Sequence, residues 1–178
     1  GDDHVRLQIA TFEEEGIRLV SGRLLEADVI VTATGFDMAA LGGIGFEVDG
    51  EQVDLSGQWT HRGIMFTGLP NLAWTFGYLR TSWTMRADLV SGYVCRLLET
   101  MDAQGAGMVV PELRAEDRQM EPRPFIDPEN FNAGYILRGM GVMPRQGDHE
   151  PWVMTQDYET EKLSIPAADF GDGTLRFA

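Results

Sequence analysis

The run Ala27-Asp28-Val29-Ile30-Val31-Thr32-Ala33 constrains this chain more than any other feature. It is nearly all apolar and rich in β-branched side chains. Such a run suits a strand covered on both faces, as in a parallel sheet between helical layers. The expected fold class is therefore α/β. The run ends at Thr34-Gly35. In open α/β sheets ligands gather at the carboxyl ends of the strands, and a glycine there lets a cofactor approach the backbone. The same pattern also describes a core strand ending in an ordinary glycine turn, and the local residues leave both readings open.

Shorter elements surround this run. Residues 4–10 alternate polar and apolar, the mark of a half-buried strand. The turn Glu13-Glu14-Glu15-Gly16 leads to a second strand over 17–20, giving a hairpin. Another hairpin is predicted over 46–48 and 53–55 around Asp49-Gly50, with short strands at 64–66 and 72–76. One long helix starts near Thr81 or Ser82, either of which can cap it. Trp83, Val90, Tyr93, Val94, Leu97, Leu98 and Met101 form its apolar stripe, and Gly105 and Gly107 end it. Beyond Met108 prolines recur from Pro111 to Pro166, which predicts an extended, mostly irregular tail with short helical turns, wrapped over a neighbour.

Composition excludes several function classes. Fourteen Lys+Arg against twenty-eight Asp+Glu give a net charge of −14. That balance rules out a bare nucleic-acid binder and disfavours docking on anionic membranes. No apolar run reaches the length of a membrane span, so a soluble, cytoplasmic protein is expected. A lone cysteine, Cys95, excludes a disulfide framework and a cysteine zinc cluster; on the helix it reads as a small core hydrophobe. His4, His61 and His149 lack metal-ligand spacing and read as surface or turn histidines, so no metal is expected. Ser56, Ser82, Ser91 and Ser164 lie outside any GxSxG elbow, and no catalytic residue is assigned. A GxGxxG beginning at Gly43 fails at Val48, and the lone lysine, Lys162, stands in no phosphate loop.

Longer strings carry a resemblance. Residues 27–36, ADVIVTATGF, resemble the Asp-x-x-x-x-Ala-Thr-Gly linker of flavin-dependent monooxygenases. RGIMFTGLPNLAWTFGY (62–78) and SWTMRADLVSGYVCRLL (82–98) look like the returning FAD-domain segment of Baeyer–Villiger monooxygenases, nearest the ethionamide-activating subgroup. EPRPFIDP, GYILR, PRQG and PWVMTQDY in the tail are similar to the same subgroup. Leu79-Arg80-Thr81 departs from the Thr-Asn-Ala usual there, placing a cation in the pocket region.

The resemblance implies an incomplete flavoprotein fold of two dinucleotide-binding domains. Residues 1–36 would end the NADPH domain, 37–107 would close the FAD domain, and 108–178 would form the tail. It implies FAD and NADPH as cofactors, with Thr34, Gly35, Gly77, Tyr78, Ser82, Trp83 and Thr84 as cofactor-binding residues. Gly77 and Tyr78 would make a floor under the flavin, and 82–84 a cap at the helix amino terminus. The implied reaction inserts one oxygen atom of O₂ into a ketone or oxygenates a thioether. The family's glycine-rich FAD and NADPH loops and its FxGxxxHxxxW fingerprint are not in these residues, so the chain reads as a fragment whose partner is the amino-terminal part of the same polypeptide. Two alternatives remain: a stand-alone, non-catalytic binding or assembly module, and an N- or S-oxygenating flavin monooxygenase. Uncovered apolar surface on such a fragment predicts self-association.

Overall fold

The computed structural model describes residues 8–35, 37–129, 131 and 133–178. They fall into two compact units that divide after Gly35. Strands and helices are mixed, and the paired strands all run antiparallel.

The first unit is a three-stranded meander, β1 (Ile9–Glu13), β2 (Gly16–Leu19) and β3 (Leu24–Glu26), in the order β1-β2-β3. Its tight turn needs Gly16, whose φ is 147°. A Cβ there would lie 2.1 Å from the Leu25 carbonyl oxygen. Arg18 closes the turn with two 2.6 Å bonds from Nε and Nη2 to the Glu13 carboxylate. The expected hairpin is present with a third strand added; residues 4–7 of the first predicted strand lie outside the described residues.

The run at 27–33 forms no strand. Its backbone carries no regular pairing, and Val29 and Val31 are 78% and 84% exposed. A parallel strand exists only when flanking strands take up its N–H and C=O groups. Among the described residues no strand pairs with this one, so the local pattern alone cannot set the conformation.

The second unit opens with the hairpin β4 (Phe46–Val48) and β5 (Glu51–Val53), turning at Asp49-Gly50 as the sequence predicts but with its second strand two residues earlier than the expected 53–55. Next comes the small ladder of β6 (Thr60–His61) with β7 (Met65–Phe66). The expected strand at 72–76 is irregular, its Trp74 N–H donating to the Ile64 carbonyl at 2.7 Å. Helix α1 (Trp83–Gln104) runs from Ser82 to Gly105, whose φ of 64° provides the left-handed stop.

The tail is more ordered than its prolines suggest. It contains β8 (Val109–Pro111), β9 (Arg123–Pro124), α2 (Gly134–Gly139), β10 (Arg145–Gln146), α3 (Tyr158–Ser164) and β11 (Leu175–Phe177). β8 pairs with β11 and β9 with β10. One core joins Val90, Tyr93, Leu97 and Met101 of α1 to Val109, Ile165, Ala168 and Leu175 of the tail. Residues 37–107 and 108–178 therefore share packing within a single unit.

Two histidines stabilise this unit in opposite ways, and one corrects the sequence reading. His61 is buried, not superficial. Its Nε2 lies 3.0 Å from Thr174 Oγ1, and its Nδ1 is 3.3 Å from the Tyr93 hydroxyl. Thr174 spends its one proton on Asp172, 2.5 Å away, so its oxygen accepts from His61 Nε2–H. Nδ1 is then the acceptor for Tyr93 O–H. Burial, helped by the Arg62 charge and opposed by Asp172, lowers the His61 pKa from 6.5 to about 3. His149 is partly exposed and lies between two carboxylates, with Nε2 3.0 Å from buried Asp117 and Nδ1 2.7 Å from Asp148. Those two bonds raise its pKa.

The signs follow. The neutral His61 contributes stability above pH 6.5 that is lost as pH falls towards about 3, because the unfolded chain takes up the proton first. The charged His149 contributes below its unfolded value, and that contribution is lost as pH rises through its raised folded value. Urea unfolding measured across this range should show both limbs. His61→Gln should flatten the acid limb, whose slope reaches about 1.4 kcal/mol per pH unit for one proton. His149→Gln should flatten the alkaline limb.

Candidate cofactor site at the start of the long helix

The apolar stripe of α1, read backwards from Met101 through Leu97, Tyr93 and Val90, arrives at Arg86. Arg86 is fully buried, with 0% exposure. A charge in such a position needs a partner and full hydrogen bonding. Glu161 of α3 supplies the partner, accepting from Arg86 Nε at 2.7 Å. Nη1 donates to the Phe76 carbonyl at 2.8 Å, and Nη2 to that of Arg62 at 2.6 Å. Glu161 also accepts from the Tyr78 hydroxyl at 2.8 Å and from Thr155 Oγ1 at 3.3 Å.

This network sets the irregular course of 76–79, at and beyond the end of the strand expected over 72–76. The carbonyls and amides there are taken by side chains instead of a ladder. Phe76 O goes to Arg86, Gly77 O to Gln156 Nε2 at 3.1 Å, and Leu79 N–H to Gln156 Oε1 at 2.9 Å. Gly77 is required by close approach, since a Cβ there would lie 2.2 Å from the Trp83 ring. Trp83 in turn packs on Phe76, ring centres 5.3 Å apart.

Five of the expected site residues thus come together along one short path. Gly77 and Tyr78 are buried beneath it; Ser82, Trp83 and Thr84 are exposed at the helix start. Tyr78 leaves only its backbone towards the path, because its ring turns inward to Glu161. Burial and the Glu161 bond push its hydroxyl pKa up. Trp83, expected on the apolar stripe, is 48% exposed. Ser82 caps α1 by position, but its hydroxyl pairs with Thr84 Oγ1 at 2.8 Å and engages no amide. The first turn carries no acid, and residues 82–84, with their two paired hydroxyls, lie at an exposed helix start. Thr34 and Gly35 belong to the first unit, where both are exposed and Gly35 has a φ of 97°.

A cavity of about 310 Å³ opens beside this path. Leu79, Phe125, Phe131 and Met154 give it an apolar lining, with Arg80 and Asp157 among its polar residues. Among the described residues no group of His, Cys, Asp or Glu could hold a metal ion. No helix of the described residues is long and apolar enough to cross a membrane.

Curated proteins share this sequence closely. The chain is 42% identical to the FAD-containing monooxygenase EthA of Mycobacterium tuberculosis, over 98% of its own length and 36% of the relative's. It is 41% identical to the probable FAD-binding monooxygenase AlmA of Acinetobacter baylyi, over 96% of the chain and 33% of that protein. It is 40% identical to the putative FAD-containing monooxygenase MymA of M. tuberculosis, over 96% and 34%. This chain is a relative of the FAD-containing monooxygenases. It spans about a third of the length of the relatives it matches. No protein-family model matches it.

Sequence reading missed Arg86, Glu161 and Gln156. For Arg86 a signal existed, since it stands four residues before Val90 on the buried stripe. Glu161 lies 75 positions away and carries no local mark. Removing one partner strands a buried charge, so Arg86→Met alone should cost about 3–5 kcal/mol in urea unfolding. The double variant Arg86→Met, Glu161→Gln should recover much of that loss. Additive costs would mean that the two side chains do not act as a pair.

Proposed function

We propose that this chain is the carboxyl-terminal part of an FAD-dependent, NADPH-using monooxygenase that inserts one oxygen atom of O₂ into a ketone or a thioether. The observation that carries the reading is the match to FAD-containing monooxygenases along 98% of the chain. The helix start supports it, because an acid-free first turn, two hydroxyls and a half-exposed indole suit a planar cofactor with a negatively charged edge.

In this reading the amides and hydroxyls of 82–84 hold the anionic edge, and the backbone at Gly77 and Tyr78 forms the wall behind it. For Thr34 and Gly35, in the first unit, a cofactor role rests on the resemblance of the 27–36 segment, and positive φ at Gly35 leaves the backbone there open to close approach. The apolar cavity at Leu79 and Met154 receives the carbon skeleton of the acceptor and keeps water from it. Bound FAD, reduced by NADPH, supplies the O₂ activation; the protein binds and orients.

The test uses a polypeptide in which this chain follows the amino-terminal two thirds that its relatives carry. It should purify with flavin absorbance and oxidise NADPH faster when ketones or thioethers are added. Thr84→Asp isolates the helix start. An acid in the first turn stabilises a helix by about 0.3–1 kcal/mol yet repels an anion. The variant should therefore keep or gain thermal stability while FAD affinity drops by roughly tenfold. Unchanged FAD affinity would remove 82–84 from the site. On its own, with Val29 and Val31 uncovered, the chain should self-associate. A concentration-independent monomer in sedimentation would count against that.

A further inference from the structure

We infer that Gln156 is a positioning residue, whose side-chain amide stands in for a neighbouring strand and fixes the backbone at 77–79. The inference rests on the oxygenase reading only for what that backbone serves; the clamp itself is independent of it.

The geometry is specific to a primary amide. Gln156 Nε2 donates to the Gly77 carbonyl at 3.1 Å, and Oε1 accepts from the Leu79 N–H at 2.9 Å. A strand neighbour would offer the same donor and acceptor to alternate residues. At neutral pH only Asn and Gln carry the donor and the acceptor side by side on one planar end group, and Asn is shorter by a methylene. Tyr78, between the two clamped peptides, sends its ring the other way to Glu161. The segment is thus held from both sides.

Both anchors come from one short stretch of the tail. Gln156 immediately precedes Asp157, which caps α3 by accepting from the Thr160 N–H at 3.0 Å, and Glu161 lies within that helix. Gln156 itself has a φ of 56°, an uncommon conformation for a side-chain-bearing residue. Strain of this kind persists where surrounding contacts over-determine it. The two amide bonds and the adjoining cap are such contacts. Leu79 and Gln156 both line the cavity, and Trp83 rests on Gly77. A shift of 77–79 would therefore move the cavity wall and the exposed indole together.

Three variants test this. In the chain as it stands, Gln156→Leu should raise amide hydrogen exchange at Leu79 by about tenfold, the loss of one hydrogen bond. Gln156→Glu should leave Leu79 protected but place a carboxylate against the Gly77 carbonyl at neutral pH. Below about pH 5 the carboxyl regains a donor, and the Trp83 fluorescence of this variant should return to that of the parent chain. Gln156→Asn, too short to span both peptides, should behave as Gln156→Leu. In the flavin-loaded polypeptide, Gln156→Glu should raise KM for the acceptor more than it lowers kcat, with recovery on acidification that the parent does not show. Unchanged Leu79 exchange in Gln156→Leu would overturn the inference, as would a Gln156→Glu defect indifferent to pH. Should Gln156→Leu not fold, the acid recovery of Gln156→Glu decides alone. A polypeptide that binds no flavin would sink the oxygenase reading and leave the exchange result to judge the clamp.

Discussion

The second unit depends on the ion pair between Arg86 and Glu161. Two charges inside a core are costly, and they persist because each remaining hydrogen-bonding position finds work. Arg86 spends its donors on carbonyls at 62 and 76 as well as on Glu161. Glu161 takes the Tyr78 and Thr155 hydroxyls. Remove the pair, and four chain segments lose their common anchor. Hydrophobic packing between α1 and the tail supplies much of the cohesion, yet it is non-directional. The polar network is what fixes where 76–79 lies.

That fixing shapes the helix start. The inner side of the path from Phe76 to Thr84 is committed, with carbonyls bonded, Tyr78 turned inward and Gly77 covered by the Trp83 ring. Its exposed end, at 82–84, carries two paired hydroxyls and no acid. A rigid interior and a polar exterior within nine residues suit a segment that orients a bound group, since orientation needs locked neighbours.

Part of this was legible in advance. Gly105 ends α1 through a left-handed cap that needs only a few neighbouring residues, and Ser82 marks its start by position. Asp49-Gly50 made its hairpin for the same reason. The run at 27–33 misled, because a β-branched stretch states a preference and a strand requires partners. Residues 72–76 misled differently, as the Trp74 N–H went to the Ile64 carbonyl in a turn and the Phe76 carbonyl to the Arg86 side chain. His61 looked superficial because nothing beside it in sequence announces Tyr93 or Thr174, which lies 113 positions away.

The sequence by itself determined α1, the two hairpin turns, the acidic charge balance and the kinship with FAD-containing monooxygenases, since each is written in contiguous residues. Only the tertiary structure decided that Arg86 is a core residue, that Tyr78 faces inward and that Gln156 replaces a strand. Those outcomes are bonds between residues some 75 to 83 positions apart. A buried polar group takes whichever partner packing brings within reach, and that choice has no local signature.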